Sequence, residues 1–268
     1  MSTQLGKEPV VKVTNCYSNH LISFQIFIVV KSPFCFKCGN ELTKETVTKE
    51  HIPAKVFYSS LPAEYKVNLM TIPACRKCNE DHSKFDAVMR DAIGIMNEHN
   101  ILHNELTKKA VSSILTASKL ERLTFGDDGR VIAVEFDLDD FNDLALKTHY
   151  GIFYDRYEMP IPQYCATSVE WHGVTYEQVA VYEEEVIGKY GWNSIGHEDV
   201  FRYQMQDMHV TEDGKLYSTG SLTGAIMVVS VMEFYRSFKF YGLSVRKNFL
   251  KQENKKRNGG SSDQYSLI

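Results

Sequence analysis

The sequence predicts an α+β protein in two parts, a small N-terminal unit held by cysteines and a larger region built on an antiparallel sheet. Three observations point there. Two Cys-x-x-Cys pairs, Cys35/Cys38 and Cys75/Cys78, bracket one short stretch. Directly after the second pair, Phe85, Val88, Met89, Ala92, Ile93 and Met96 recur at helical spacing and form one apolar stripe. From Tyr150 onward the chain is rich in aromatic and β-branched residues in short runs.

At 268 residues the chain can bury one large core or two modest ones. The expected organisation is residues 1–32 as a leader or extra strand, 33–97 as the cysteine-clamped domain, 98–245 as an α+β domain, and 246–268 as a basic, disordered tail. The net charge of −4 gives no global basic field, so any contact with phosphate must come from a local patch. The remaining cysteines, Cys16 and Cys165, lie far apart with no pairing pattern. Together with the clustered pairs this suits a reducing cytoplasm better than a disulfide scaffold.

In chain order, Leu21–Val30 reads as a strand and is too short for a bilayer, which needs about 20 apolar residues. No basic segment and small-residue cleavage site surround it, so a soluble protein without a membrane partner is expected. Gly39, after the first pair, can take the positive φ that a tight turn around a metal requires. Glu41–Lys55 is Thr-rich with strand propensity, and Pro53 stops the strand because proline cannot donate to a ladder. Lys55–Tyr65 is a mixed loop or short helix. Residues 101–120 read as a second amphipathic helix, Thr124–Phe136 as a hairpin turned by Gly126–Gly129, and Asp137–Lys147 as a helix with an acidic start. Gly151–Tyr154, Val200–Gln204, His209–Ser218 and Ala225–Val245 carry the β patterning. His149, His172 and His197 have no ligand spacing and are expected to be structural. Lysines and arginines crowd Arg246–Arg257, and the glycines and serines after Asn258 read as disorder.

The chemistry is concentrated between the cysteine pairs. Four thiolates can fill a closed tetrahedral zinc site, which has no open position and is therefore structural; a single pair would equally suit a redox function. Inside the clamp stands Glu50-His51. A neutral imidazole can take a proton from an attacking water, and Glu50 offers an oxygen to a hard cation such as Mg²⁺ or Mn²⁺. Adjacent strand residues point to opposite faces, so both serve one site only where the backbone is irregular, as it can be near Pro53. Taken alone, an isolated Glu-His pair is solvated strand surface. Asn79 can cap the following helix or take a left-handed conformation after the knuckle. His82 lies one turn on. Lys55, Arg76, Lys77 and Lys84 can contact backbone phosphates, or be ordinary solvated surface.

The ordered set Cys35-x-x-Cys38-Gly39, Glu50-His51-Ile52-Pro53, Asn68, and Pro73-Ala74-Cys75-x-x-Cys78-Asn79 resembles the HNH endonuclease family, in particular bacterial members with two zinc knuckles whose signature runs Glu-His-Ile/Val-x-Pro. The resemblance covers roughly residues 33–95. It implies a ββα-metal fold and cleavage of nucleic acid, DNA in preference to RNA, assisted by a divalent metal. It also implies His51 as general base, and Glu50 and Asn79 as metal ligands; His82, one turn on, can be a third ligand, a phosphate contact or an exposed helix histidine. Asn68 is implied to hold the loop that carries His51, although an ordinary turn asparagine fits that position too. The competing expectation is a zinc-stabilised nucleic-acid-binding module without catalysis, which has no need of Glu50-His51. A third is an interaction protein in which the knuckles only brace the fold.

Overall fold

The structure, a computed structural model, describes residues 33–96, 102–116, 123–127, 131–135, 138–172 and 188–252. The expected strand at Leu21–Val30, the last residues of the tail and Cys16 lie outside them.

The N-terminal unit is a hairpin and a helix. β1 (Val47–Ile52) pairs antiparallel with β2 (Met70–Cys75) in an unbroken register from Val47 opposite Cys75 to Ile52 opposite Met70. β1 ends just before Pro53, as a residue without a backbone donor requires. Two 3₁₀ turns, Lys55–Tyr58 and Ala63–Lys66, fill the connection. Cys75 closes β2 and the next residue opens α1 (Arg76–Met96), so the second cysteine pair spans a strand-to-helix junction. The helix begins nine residues before Phe85, so Asn79 lies inside it and is neither an N-cap nor a left-handed residue. Glu80 and Asp81 consequently fall after its first turn.

α2 (His103–Thr116) and the small hairpin of β3 (Leu123–Phe125) and β4 (Val131–Val134) follow the sequence expectation closely. α3 (Leu138–Tyr157) does not: it runs ten residues past Lys147 and takes in Gly151–Tyr154, which had been expected to be β. Its helical stripe of Phe141, Leu144, Ala145, Thr148 and Ile152 is continuous and buried, and no strand begins until Cys165. Gly151 is no breaker here. A Cβ at that position would lie 2.4 Å from an Ile52 side-chain carbon, so glycine is what lets α3 lie directly on β1.

The second half forms a six-stranded antiparallel sheet ordered β5 (Cys165–His172), β10 (Phe238–Arg246), β9 (Met227–Phe234), β7 (Phe201–Val210) and β6 (Asn193–Ser194), with β8 (Leu216–Tyr217) paired to β7. The fold is thus mixed α+β with an antiparallel sheet, as the sequence predicts. Arg246 still belongs to β10 and residues 247–252 are helical, so ordered structure reaches into the expected tail.

α3 rests on this sheet. The His149 ring is fully buried, with Nδ1 2.7 Å from Ser230 Oγ on β9 and Nε2 2.8 Å from Ser244 Oγ on β10. Gly242, opposite Ser230 in the register, leaves room for it. Burial alone drives the His149 pKa down to about 3, so the imidazole is neutral and structural. His197 is likewise occupied, its ring tilted against Tyr65 with centroids 4.3 Å apart.

One apolar core runs through both parts. It joins Ile52, Phe57, Tyr58 and Met89 to Phe153, Phe201, Phe234 and Phe240, and so crosses the boundary expected near residue 97. Two hydroxyls lock the seam: Tyr58 donates to the Ile195 carbonyl (2.6 Å) and Tyr235 to the Phe57 carbonyl (2.7 Å).

Candidate functional site

The sulfurs of Cys35, Cys38, Cys75 and Cys78 all lie within 4.8 Å of one another. A regular tetrahedron with Zn–S near 2.3 Å has sulfurs about 3.8 Å apart, and Cys38 Sγ lies 3.9 Å from Cys75 Sγ. The four cysteines can hold a metal ion such as zinc. Gly39, at φ +72°, turns the first knuckle, with its N–H on the Cys35 carbonyl (3.0 Å). The N–H of Phe36 reaches the Pro73 carbonyl (3.0 Å), which ties that knuckle to β2. Cys35, Leu42 and Cys78 form a small core of their own, with Val47 and Cys75 packed on it. Burial and the neighbouring Cys75, Cys35 and Cys38 sulfurs push the Cys78 thiol pKa up. Four thiolates this close repel one another until a cation offsets them.

The Glu50-His51 pair is split by the regularity of β1. Thr48, Glu50 and Ile52 face inward, towards the helices, while Lys49 and His51 lie on the opposite face. The irregularity that would have brought Glu50 and His51 to one site is absent, because the register with β2 is unbroken.

Glu50 is 6 % exposed, and its Oε1 lies 2.9 Å from Lys147 Nζ. That ammonium, 1 % exposed, is also 2.7 Å from Asp86 Oδ2 on α1. The triad follows from the packing. Gly151 seats α3 on Ile52, so one turn earlier Lys147 meets Glu50, two residues back on the same strand face. Glu50 Oε2 and Asp86 Oδ1 are buried with no hydrogen-bond partner among the described residues. Burial, opposed by Lys147 and reinforced by Glu50, holds the Asp86 carboxyl above its ordinary range.

Asn79 lies on the same side of the hairpin but is directed at protein. Its Nδ2 donates to Thr48 Oγ1 (3.0 Å) and the Lys49 carbonyl (3.4 Å), and so ties α1 to β1. Asn68 is exposed at φ +50°, as a turn asparagine, and its carbonyl accepts from the Gly196 N–H (3.4 Å). Glu50 and Asn79 therefore do not face each other across an open gap.

His51 is half-buried, and neither ring nitrogen has a hydrogen-bond partner among the described residues. Burial first, then the charges of Lys55, Lys147 and Lys49, lowers its pKa, so the imidazole is neutral near pH 7. Lys55, Arg76 and Lys77 are exposed, as is Lys49. His82 and Lys84 belong to α1, and their side chains lie outside what the structure describes.

Sequence reasoning missed Asp86 and Lys147. A signal was present: Lys147 falls on the stripe Leu144–Gly151 that α3 buries, and Asp86 on the stripe of Met89 and Ile93. Charges on apolar stripes need partners, and here each supplies the other's.

Among the described residues no helix is long and apolar enough to cross a membrane. Comparison with protein-family models, with curated proteins and with solved structures finds no match for this chain.

Proposed function

We propose that the cysteine-clamped unit is a nucleic-acid module of the HNH type that hydrolyses phosphodiester bonds, DNA in preference to RNA, with His51 as general base. One observation carries the reading: an unpartnered, solvent-reaching imidazole on the outer face of β1, next to exposed Lys49 and near exposed Lys55. Cys35, Cys38, Cys75 and Cys78 would hold a structural zinc that fixes the hairpin against α1, and so fixes His51.

In the step so assigned, His51 removes a proton from a water molecule as the water oxygen bonds to phosphorus. The P–O bond to the leaving sugar oxygen breaks, and that oxygen takes a proton from solvent. Lys49 and Lys55 offset the charge growing on the phosphate oxygens. Lys55, Arg76, Lys77 and Lys84 contribute sequence-independent backbone contacts.

A catalytic Mg²⁺ or Mn²⁺ on Glu50 and Asn79 does not fit the residues present. The Glu50 carboxylate is buried against Lys147, and Asn79 is spent on Thr48 and Lys49. The same pairing favours a second reading, a zinc-stabilised binding module without catalysis.

Zinc-loaded full-length protein incubated with supercoiled plasmid tests the two. Nicking that drops about 10²–10⁴-fold in His51→Ala, with DNA affinity and its salt dependence kept, supports the hydrolase. Salt-sensitive binding with no nicking under any condition assigns the binding module, and nicking undiminished in His51→Ala removes His51 from the chemistry.

A further inference from the structure

We propose that Glu50 and Asp86 form a cation pocket whose resident cation is the Lys147 ammonium, so that this chain carries its own positive charge where a divalent ion would otherwise bind. This rests on the buried triad and stands apart from whether His51 cleaves anything.

Three elements converge on one point: β1 brings Glu50, α1 brings Asp86, and α3 brings Lys147. The two carboxylate oxygens lie 2.9 and 2.7 Å from a single nitrogen. Metal–oxygen bonds to Mg²⁺ are about 2.1 Å, so an ion at the Nζ position needs each carboxylate to approach by less than about 1 Å. The donors are hard oxygens, which suit Mg²⁺ or Mn²⁺ rather than a thiolate-seeking metal. Glu50 Oε2 and Asp86 Oδ1, buried on residues 6 % and 7 % exposed, have no hydrogen-bond partner among the described residues. Two carboxylates against one ammonium leave the charged triad one positive charge short, and a divalent ion in its place would remove the deficit. Buried carboxylates are tolerated only against such partners.

What keeps a divalent ion out is covalent. The ammonium is tethered to α3, and Gly151 one turn on holds that helix against Ile52. Free Mg²⁺ must shed most of its water to enter, which it does reluctantly, whereas Lys147 is delivered by folding itself. Lys147→Ala removes the tethered cation and leaves space for an ion with some of its water.

The test uses zinc-loaded full-length chain and Mn²⁺, followed by the loss of the free Mn²⁺ paramagnetic resonance signal. The wild type should take up no Glu50-dependent Mn²⁺, Lys147→Ala about one ion per chain, and Lys147→Ala with Glu50→Gln none. If Lys147→Ala is too unstable for titration, Mn²⁺ should raise its melting temperature by several degrees and leave a Glu50→Gln, Asp86→Asn, Lys147→Ala chain unmoved. Uptake by the wild type that Glu50→Gln abolishes overturns the proposal. So does a Lys147→Ala chain that neither binds Mn²⁺ nor is stabilised by it.

Discussion

Gly151→Ala puts the seating of α3 on β1 to a test whose sign is informative. In an exposed helix interior this change is stabilising, by about 1 kcal/mol, because alanine is the better helix former. Here the new methyl would lie 2.4, 2.7 and 2.9 Å from three side-chain carbons of Ile52. Carbon atoms pack at about 3.5–4.0 Å, so helix and strand must part by roughly 1 Å or Ile52 must leave its rotamer. Overpacking of this kind costs about 1–3 kcal/mol. The net expectation is a loss of up to about 2 kcal/mol, against the propensity trend. In an Ile52→Ala background, itself about 2–5 kcal/mol less stable, the obstacle is gone and the same change should be neutral or stabilising. Urea unfolding followed by circular dichroism, on zinc-loaded protein, measures all four corners of that cycle. Equal cost in both backgrounds, or a gain in the Ile52 chain, would refute the close approach and with it the route by which Lys147 reaches Glu50.

Other outcomes follow from the same contacts. Cys75→Ser, or a strong chelator, should remove about one tightly held metal per chain and unfold the knuckles; metal analysis with unfolding curves checks this, and a variant of unchanged stability would contradict it. Buried His149 stays neutral while the unfolded chain protonates below about pH 6.5. Its stabilisation is therefore complete above that pH and is lost as pH falls towards its folded pKa of about 3, on the order of 4 kcal/mol across the window. His149→Gln should flatten the slope of unfolding free energy between pH 6.5 and 4, and an identical slope would exclude this source. Asn79→Ala should cost about 1–2 kcal/mol through the lost tie to Thr48 and Lys49, seen as an earlier urea midpoint with metal content unchanged.

The parts legible in the sequence are those governed by short-range pattern. Cysteine spacing announced the four-sulfur cluster, and the Phe85–Met96 stripe announced α1, because both depend on residues near one another in the chain. The pairing of β3 with β4 was equally local, two short runs of strand-forming residues lying close in the chain. The period of two warned that Glu50 and His51 diverge, but not which of them turns inward. That is decided by α3, nearly a hundred residues away, whose Lys147 makes a buried glutamate tolerable. Gly151 misled for a related reason. Its meaning is the proximity of Ile52, and no pattern within α3 encodes that neighbour.

The hydroxyl of Tyr58 on the Ile195 carbonyl, and that of Tyr235 on the Phe57 carbonyl, bear on how this architecture can be inherited and engineered. Each bond runs from one half of the chain to the backbone of the other, so neither half is an exchangeable cassette. A fragment cut after α1 would bare Ile52, Phe57, Tyr58 and Met89, all fully buried in the whole chain, and would strand the Phe57 carbonyl and the Tyr58 hydroxyl at the cut face. Grafting the knuckles onto a foreign scaffold would therefore have to carry along a surface shaped like β9 and the Ile195 turn.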